Sequence, residues 1–486
     1  MSALESELYV PEPPEDISRL GRPELLRVAT VAVVLAWTVG RASAVAWSKV
    51  LLRSLGRRMS QRRLDDQTRD RNRRQAAIEL ATELSTAASN GLIDGFITLG
   101  PTYVKVGQVI ASSPGMFPDW LATPARRCLD EVPPFPTEEV HRTIEEDLGR
   151  PLTELFASFE DVPLSAASIG QVHACVLLDG REAVVKVQRP GIRDSMTRDL
   201  RVLHAIARVA QRTSWGRSAN AVGMVHDLHA LTHAELDPVQ ERRNQQTFRE
   251  NLWSFGDNEG VTVPEIYEDR CGPRTICMER VRGVPMDDFE AIRARGVDGQ
   301  LVLRRGAKAW VEAVLVHGTF HGDLHAGNIW VLDEGRGCFL DFGIMGELEE
   351  DWRQLARDLF YTCLFDQDFT RVAGSYRRLG VFPPDIGTDE EIGQRIGMIL
   401  VPLLNSGIGS VNLGELIAQS VVLMKQYGGS APRELMLVAK QLLYIERYVR
   451  ELAPDYAVIT DPFLVRNVFP DAAKELVART GEPMPD

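Results

Sequence analysis

Lysine is scarce in this chain of 486 residues: seven lysines accompany the arginines that supply most of its 55 basic side chains. Acidic residues outnumber basic ones, and the formal net charge is −13. A general nucleic-acid-binding protein usually carries a basic surplus, so this balance argues against nucleic acid as a partner. The length suffices for two or three domains, and the apolar content of 44% is ordinary for a folded globular protein.

Cysteine pairs with the C-x-x-C spacing are absent, because the six cysteines are scattered along the chain. Neither a zinc site nor a disulfide framework is therefore indicated, and the thiols fit a reducing compartment. The N-terminus is acidic and contains proline, with no basic segment ahead of an apolar stretch, so a secretory signal is not indicated. We expect a cytoplasmic protein.

The most apolar segment has no uncharged run of the roughly 20 residues that a membrane-spanning helix needs. The most apolar segment is 28–52, and its uncharged part, 28–40, has thirteen residues. Arg41 interrupts the longer segment at an insertion cost of roughly 2.5–3.5 kcal/mol. This pattern favours a helix that packs on the protein or lies on a membrane surface over a true span.

A basic segment follows the apolar one. Residues 53–74 contain nine arginines and three aspartates, a local net charge of +6 in an otherwise acidic chain. The anionic lipid of a cytoplasmic leaflet attracts such a segment when it adjoins an apolar helix. A solvated helix with internal salt bridges fits equally well, so peripheral membrane association is one of two interpretations.

Two motifs in the C-terminal half carry the chemistry. Residues 321–328 read His-Gly-Asp-Leu-His-Ala-Gly-Asn and match H-x-D-x-x-x-x-N, the catalytic loop of kinases. In that pattern Asp323 meets the acceptor hydroxyl, and Asn328 binds a magnesium ion on the phosphates of ATP. Asp341-Phe-Gly follows thirteen residues later, and Asp341 is the second expected metal ligand. The tripeptide alone is a weak signal, but the two motifs at this spacing are a strong one.

Lys186 lies in Ala-Val-Val-Lys-Val, a strand-like segment that matches the V-A-I-K strand of kinases. A lysine on an apolar strand is costly to bury without a partner, and its compact ammonium suits a phosphate contact. An exposed charge at a sheet edge is the ordinary alternative. Upstream, where kinases have G-x-G-x-x-G, this chain has one glycine, but the small Ala166, Ala167 and Ser168 still allow phosphates to approach the backbone.

Strand and helix signals change along the chain in the order of a kinase. Residues 24–98 read as helix, and 101–160 read as helices separated by Pro-rich turns. Two strand-like segments joined by the hairpin turn Asp179-Gly180 follow, then a helical insertion and two more strands at 261–267 and 274–281. From residue 301 helical periodicity dominates, interrupted by short strands at 329–332 and 338–341. The apolar segment 396–424 is broken by Pro402, Asn405, Gly407, Gly409 and Glu415 and is interpreted as buried helices of the C-lobe.

We therefore predict an α+β fold: a bilobal protein-kinase-like fold with an N-terminal helical extension and a mostly helical C-lobe. After the second pair of strands, a hinge is expected at 278–281, where backbone groups of Glu279 and Val281 would contact adenine. The predicted parts are a disordered tail (1–23), apolar and basic helices (24–98), an extension (99–160), an N-lobe with a helical insertion (161–283) and a C-lobe with the catalytic loop (284–486).

Together these features resemble the UbiB/ADCK family of AarF-domain atypical kinases. The chain has the family's Lys-x-Gly-Gln signature at 105–108, an alanine-rich loop at 165–168 and the Glu-x-Asp signature at 235–237. The resemblance runs from about residue 85 to about residue 390, and the motifs together are highly specific.

The resemblance implies roles that spacing alone does not show. It makes Glu241 the helix-C glutamate that pairs with Lys186. It implies ATP and Mg²⁺ as cofactors, and an ATPase or kinase activity that supports isoprenoid-quinone or related lipid metabolism at a membrane. The residues it assigns to a regulatory extension over the peptide-substrate site are Lys105, Gln108, Glu235 and Asp237.

The resemblance also implies partners: a membrane surface with anionic lipid, a lipid or quinone-precursor small molecule, and quinone-biosynthesis proteins.

The sequence departs from the family pattern at three places. Ser165 replaces the first alanine of the loop, which leaves the nucleotide preference open. Pro238 follows the Glu-x-Asp signature, where the family usually has an aromatic residue, and helix C is expected to start at this proline. The tail 454–486 is polar, where many bacterial members have two hydrophobic spans, so the N-terminal apolar segment is expected to substitute for them.

Two other functions remain open at this point. One is a conventional protein kinase, but His321-Gly-Asp lacks the arginine that commonly reads a phosphorylated activation loop. The other is a nucleotide-gated regulatory protein that binds a lipid or a partner with little phosphotransfer.

Three histidines, His226, His229 and His233, share one face of a predicted helix. We favour an ordinary half-exposed helical face over a zinc site at this position.

Overall fold

The computed structural model describes residues 15–60, 66–111, 117–130, 133–218, 220–382, 385, 387–405, 433–454, 456 and 461–480. The chain forms two compact units. The first comprises Met1–Pro238 and Asp269–Cys277, and the second comprises Val239–Glu268 and Met278–Asp486. The chain thus passes from one unit to the other within the predicted N-lobe, and each unit is treated separately below.

The described elements mix helices with short strands. The strands are β1 (Phe156–Phe159), β2 (Ser165–Ala166), β3 (Gly170–Leu177), β4 (Glu182–Gln188), β5 (Val261–Thr262), β6 (Thr275–Glu279), β7 (Gly283–Pro285), β8 (Thr319–His321), β9 (Ile329–Leu332), β10 (Gly337–Phe339) and β11 (Met345–Glu347). The helices are α1 (Arg22–Ser60), α2 (Asp66–Leu99), α3 (Pro101–Ala111), α4 (Asp119–Ala125), α5 (Arg127–Asp130), α6 (Thr137–Leu148), α7 (Leu152–Leu155), α8 (Ile192–Ala210), α9 (Ser214–Ser218), α10 (Ala221–Glu235), α11 (Pro238–Ser254), α12 (Phe289–Ala294), α13 (Gly299–Glu312), α14 (Glu350–Tyr361), α15 (Thr370–Arg378), α16 (Asp389–Asn405), α17 (Arg433–Leu452) and α18 (Pro470–Thr480).

In the first unit, α1 packs closely along α2 because two glycines of α2 leave room for its backbone. A Cβ atom at Gly91 would meet the Thr38 carbonyl oxygen at 2.7 Å, and one at Gly95 would meet Leu35 Cδ2 at 2.6 Å. Residues 61–65, between the two helices in the sequence, lie outside the described residues. The predicted helical block 24–98 therefore consists of two helices that pack on each other.

One face of α1 is tied to the protein by charge as well. Arg27 Nε lies 2.6 Å from Asp199 Oδ1 of α8, and Arg27 also donates to the Leu99 carbonyl oxygen at 2.7 Å. Among the described residues, Arg22–Lys49 is the helix that is long and apolar enough to cross a membrane, with a mean hydropathy of 1.7. The opposite face exposes large apolar side chains, among them Leu26, Val33, Trp37 and Trp47.

The sheet of the first unit has the order β1-β3-β4-β6, with β2 pairing on β3. β3 and β4 form the predicted hairpin, in which Val172 lies opposite Lys186. The expectation of helix up to residue 160 is wrong at its end, where 156–159 form β1. Phe156 and Phe159 pair with Leu177 and Cys175 across the sheet, and this tertiary pairing overrides the local pattern.

The second unit is built around a large apolar core. Trp310 and Val314 are fully buried on α13 and the π-helical turn that continues it, and Phe320 is fully buried on β8. Its four-stranded sheet has the order β5-β10-β9-β7, with β10 parallel to β5 and antiparallel to β9. β8 pairs separately with β11. The 321–328 segment connects β8 to β9, and Asp341-Phe-Gly lies between β10 and β11.

Several predicted segments lie wholly or partly outside the described residues. The tail is described only from residue 15, and the apolar segment 396–424 only as far as 405, at the end of α16. The strands predicted near 261–267 and 274–281 are shorter, at Val261–Thr262 and Thr275–Glu279. The strand predicted at 329–332 has those bounds as β9.

Candidate active site

His321 joins the two motifs of the second unit. Its ring is fully buried, and Nε2 donates to the Leu340 carbonyl oxygen at 3.0 Å while Nδ1 accepts from the Asp323 amide at 3.2 Å. Since a carbonyl can only accept and an amide can only donate, these partners fix a neutral imidazole with its proton on Nε2. Burial lowers the pKa of His321 accordingly.

Asn328 ends the loop formed by residues 321–328, which is called the 321–328 loop below. Its Nδ2 donates to the Asp323 carbonyl oxygen at 3.1 Å, and its own carbonyl oxygen accepts from the Leu340 amide at 2.8 Å. Asn328 is 8% exposed. With the side-chain nitrogen engaged inside the loop, Oδ1 is the atom of Asn328 that is available to act as a ligand.

Asp341 directly follows Leu340, whose carbonyl accepts from His321 and whose amide donates to Asn328. Its φ of 58° is in the left-handed region, which Asp tolerates better than most residues, and its Oδ1 accepts from the Gly343 amide at 3.3 Å. The residue is exposed, so its carboxylate is accessible. A non-glycine residue in this conformation is typical of functional sites. The sequence carried no signal for the conformation.

Helix α11 anchors the segment that contains Asp341. Phe342 is fully buried, with its ring centroid 5.3 Å from that of Phe248 on α11 and 5.1 Å from that of His321. Asn244 Nδ2 of the same helix donates to the Phe342 carbonyl oxygen at 3.0 Å. Sequence reasoning missed Asn244 and Phe248, although their spacing from Glu241, i+3 and i+7, places all three on one helical face.

Glu241 lies in the first turn of α11, which Pro238 begins, and it is 3% exposed. A buried carboxylate needs a partner to offset the loss of hydration. Its pairing with Lys186 stays a prediction. Lys186 lies in the first unit, on β4, where it is partly buried and faces Val172 on β3.

Helix α17 contacts the 321–328 loop on both sides of Asp323, and sequence reasoning missed this. The Gln441 side chain is fully buried; its Nε2 donates to the Gly322 carbonyl oxygen at 2.7 Å and its Oε1 accepts from the Leu324 amide at 2.8 Å. Lys440 Nζ lies 2.9 Å from Asp323 Oδ1. No local motif marks these residues, because they follow the loop by more than a hundred positions.

In the first unit, the predicted phosphate loop is a tight hairpin. Ala166 pairs with Gln171, the Ala167 amide donates to the Gly170 carbonyl oxygen at 2.8 Å, and Ser168 is 5% exposed. Gly170 permits this geometry, since a Cβ there would meet the Val187 carbonyl oxygen at 2.5 Å. The single glycine of the segment therefore serves the close approach of β4.

The structure brings two residues of the predicted regulatory extension together within the first unit. Lys105, on α3, is 7% exposed and forms an ion pair with Glu235 at the end of α10. Gln108 Nε2 donates instead to the Cys128 carbonyl oxygen at 3.0 Å. Gly107 lies against Cys128 so closely that a Cβ would meet its Sγ at 2.3 Å. Asp237 is 7% exposed.

The predicted hinge follows the point at which the chain passes between the units, after Cys277. Glu279 ends β6, and its amide donates to the Glu265 carbonyl oxygen at 2.8 Å. Because that bond occupies the Glu279 amide, the predicted adenine contact of Glu279 is assigned to its carbonyl oxygen. Val281 lies in the connection to β7 and is partly buried.

The residues described by the structure contain no group of three or more His, Cys, Asp or Glu side chains placed to hold a metal. On the predicted histidine face, His229 is 8% exposed, and its ring centroid lies 6.4 Å from that of His233. Magnesium has a different requirement. It is commonly held by one or two protein oxygen ligands together with substrate phosphates and water, and Asn328 and Asp341 match that donor set.

Two family models match consecutive parts of the chain. The family described as ABC1 atypical kinase-like domain matches residues 127–376, and the UbiB helical domain matches residues 396–457. An uncharacterized protein of Mycobacterium tuberculosis is 39% identical over 372 residues, which cover 76% of this chain and 75% of that protein.

Two further relatives have more informative names. The probable protein kinase UbiB of Azotobacter vinelandii is 33% identical over 376 residues, 76% of this chain and 69% of that protein. An aarF domain-containing protein kinase of Arabidopsis chloroplasts is 31% identical over 391 residues, 75% and 72% of the two chains. The predicted kinase-like α+β fold is thereby confirmed, and the chain belongs to the ABC1/UbiB family of atypical kinase-like proteins.

Proposed function

We propose that the protein binds Mg–ATP and acts as an atypical kinase or ATPase in support of isoprenoid-quinone or related membrane-lipid metabolism. The observation that carries this proposal is the hydrogen-bonded connection through His321. It ties the backbone of Asp323 to Leu340, the residue directly before Asp341. A purely structural polar cluster would not need an exposed carboxylate held in a left-handed backbone conformation.

The donor set supports magnesium as the cofactor. Asn328 Oδ1 and the Asp341 carboxylate are oxygen ligands, and two such ligands fit an ion that takes its remaining ligands from phosphates and water. When bound, magnesium neutralises charge on the triphosphate and holds it for in-line transfer. The protein's contribution is to hold both ligands in place before ATP arrives, which the bonds from Leu340 and Gly343 support.

The other site residues keep the roles that the family resemblance implies. Asp323 orients the attacking oxygen and accepts its proton, while Lys186, oriented by Glu241, contacts the α- and β-phosphates. The hairpin with Ala166, Ala167 and Ser168 approaches the phosphates through its backbone. The Glu279 carbonyl and the Val281 amide bind adenine.

The acceptor is water or a small lipid-like molecule in this proposal. The Lys105–Glu235 ion pair and the close contact of Gly107 with Cys128 support a fixed α3, as a regulatory extension requires. The ion pair is partly buried, and removal of one partner would leave the other charge without compensation. An extension of that kind leaves no place for a peptide substrate.

The exposed apolar face of α1 supports peripheral association with a membrane. Leu26, Val33 and Trp37 follow each other at helical spacing, and each is more than 60% exposed. Exposed apolar patches of this kind mark membrane or protein contacts. Because the other face carries the Arg27–Asp199 ion pair, we propose that α1 lies on the membrane surface, on its cytoplasmic side.

ATP turnover by the purified protein tests the proposal. We expect Mg-dependent release of phosphate, and Asp341→Asn should reduce it by at least a hundredfold because one metal ligand is weakened. Asp351→Asn is the matched control, since Asp351 is exposed in the first turn of α14 of the same unit. Equal turnover by Asp341→Asn and Asp351→Asn would rule out the metal assignment. Nucleotide binding without any turnover would favour the nucleotide-gated regulatory protein.

A second arm of the same assay addresses the membrane and the acceptor. Vesicles with anionic lipid, added with a phenolic mimic of a quinone precursor, should raise the turnover of the parent protein. Leu26→Glu places a charge on the exposed face of α1 and should abolish the increase without changing the basal rate. Parent and variant responding equally would show that this face does not contact lipid.

A further inference from the structure

Helix α17 does more than cover the 321–328 loop, because it binds the backbone on both sides of Asp323. Gln441 bridges Gly322 and Leu324, and the Tyr448 hydroxyl donates to the Leu324 carbonyl oxygen at 2.8 Å. Gln441 and Tyr448 are 0% and 1% exposed. The position of Asp323 relative to α17 is therefore fixed by buried hydrogen bonds.

Lys440 precedes Gln441 and brings an ammonium to the carboxylate that the loop presents. Its Nζ lies 2.9 Å from Asp323 Oδ1, and the side chains of Lys440 and Asp323 are 47% and 19% exposed. His325 Nε2 lies 3.6 Å from the other oxygen, Oδ2. The Lys440 ammonium is thus placed beside the expected proton acceptor while remaining accessible from solvent.

The Lys440–Asp323 ion pair contributes little to the stability of the fold. A partly exposed ion pair contributes roughly 0–1 kcal/mol, and arginine supplies most positive charge in this chain. An arginine fork would engage both carboxylate oxygens of Asp323, whereas an ammonium is a compact charge that can move between neighbouring anions. In the kinase motif, the residues that take part in the chemistry lie inside the loop. Here the ammonium beside Asp323 comes from α17, within the part of the chain that matches the UbiB helical domain.

We propose that Lys440 is a catalytic residue, whose ammonium moves from Asp323 to the phosphoryl group during its transfer. The inference rests on the proposed function. As the acceptor oxygen bonds to the γ-phosphorus, the bond to the bridging oxygen breaks and its electron pair leaves with ADP. The acceptor proton passes to Asp323, whose negative charge is lost at that moment. Lys440 is then released to neutralise the transferred phosphoryl oxygens.

The test compares Lys440→Met with Lys440→Arg and with Lys474→Met. Lys474 is an exposed lysine of α18 in the same unit and serves as the matched control. Lys440→Met should lower kcat for ATP by about a hundredfold and change KM for ATP less than about threefold, because the contact forms only in the transition state. Lys440→Arg should recover part of the loss, and Lys474→Met should match the parent.

The background Asp323→Asn separates a direct role from a positioning role. A lysine that only holds Asp323 in place should have no further effect once the carboxylate is gone, whereas a phosphoryl contact should still be lost. We therefore expect Lys440→Met to lower the residual kcat of Asp323→Asn by at least tenfold. No further loss in that background, or an unchanged or raised kcat in the single variant, would overturn the proposal.

Affinity for ADP–Mg–aluminium fluoride, a mimic of the transferring phosphoryl group, gives a readout that does not depend on turnover. Lys440→Met should weaken this affinity at least tenfold and leave the affinity for ADP–Mg unchanged. Equal affinities of parent and variant for the mimic would contradict the role of Lys440 while leaving the proposed function intact. A parent protein that binds neither form of the nucleotide would overturn both proposals.

Discussion

His321 shows how a single residue ties stability to pH in this protein. Its pKa is lowered because burial disfavours the charged ring, although its bond to Leu340 and the nearby Asp323 and Asp341 act in the opposite direction. The unfolded chain therefore binds a proton at a higher pH than the folded protein does. Stability from this group is fully present above about pH 6.5 and is lost as the pH falls below that value toward the folded pKa.

We predict that the melting temperature decreases as the pH is lowered from 6.5 to 5. In His321→Gln this decrease should be smaller. One proton accounts for at most about 1.4 kcal/mol per pH unit. Glutamine retains a donor for the Leu340 carbonyl oxygen, so the variant should fold. His325→Gln, an exposed position in the same loop, is the control. A fall of equal steepness in the parent and in His321→Gln would contradict the linkage.

At the residue scale, spacing was sufficient to identify Asp323, Asn328 and Asp341 as candidates, because the chemistry demands those residue types at those intervals. The hydrogen bonds that orient them were not predictable. The His321 ring donates to the carbonyl oxygen of Leu340, nineteen positions later in the chain. The amide of Leu340 donates to the carbonyl oxygen of Asn328, twelve positions earlier. Such bonds depend on how β8 and the strand before Asp341 are brought together.

At the scale of elements, the Lys-x-Gly-Gln signature has a packing reason at its glycine. Gly107 of α3 lies against Cys128, which is fully buried on α5, and a Cβ there would meet Sγ at 2.3 Å and the Cys128 Cβ at 2.9 Å. Any side chain at this position would force the two helices apart. The glycine therefore fixes the approach of α3 that brings Lys105 to Glu235.

Gly107→Ala should lower the free energy of unfolding by about 1–3 kcal/mol, the usual cost of overpacking a filled core. Gly40→Ala is the matched control in the same unit, because a Cβ at Gly40 has no atom within 4 Å and the residue is exposed in the middle of α1. The control should be neutral or stabilising by up to about 1 kcal/mol. Urea unfolding of both variants measures the difference, and equal midpoints would refute the packing argument.

Elements with a strong local signal were predictable, and those that depend on distant partners were not. The Asp179-Gly180 turn specified its hairpin, and the β-branched Val184, Val185 and Val187 of β4 supported the strand. Strand β1 was missed because its pairing with β3 overrides a local pattern that reads as helix. The contact of α17 with the 321–328 loop was missed for the same reason, since Gln441 lies 119 positions beyond Gly322.

At the scale of the whole molecule, the chain belongs to the ABC1/UbiB family, whose models match residues 127–376 and 396–457. The chain forms two compact units, and Asn328, Asp341 and Asp323 all belong to the second. That unit also contains α17, which holds the loop, and α11, which holds Phe342. The second unit therefore contains the proposed metal ligands together with the elements that position them.

Calorimetric titration of the protein with a non-hydrolysable ATP analogue tests the central claim, which is that Asn328 and Asp341 bind a magnesium–nucleotide complex. We predict one binding event per chain that requires magnesium, is lost in Asp341→Asn and is retained in Asp351→Asn. Binding of equal strength with and without magnesium, or an Asp341→Asn variant with the parent's affinity, would contradict the claim.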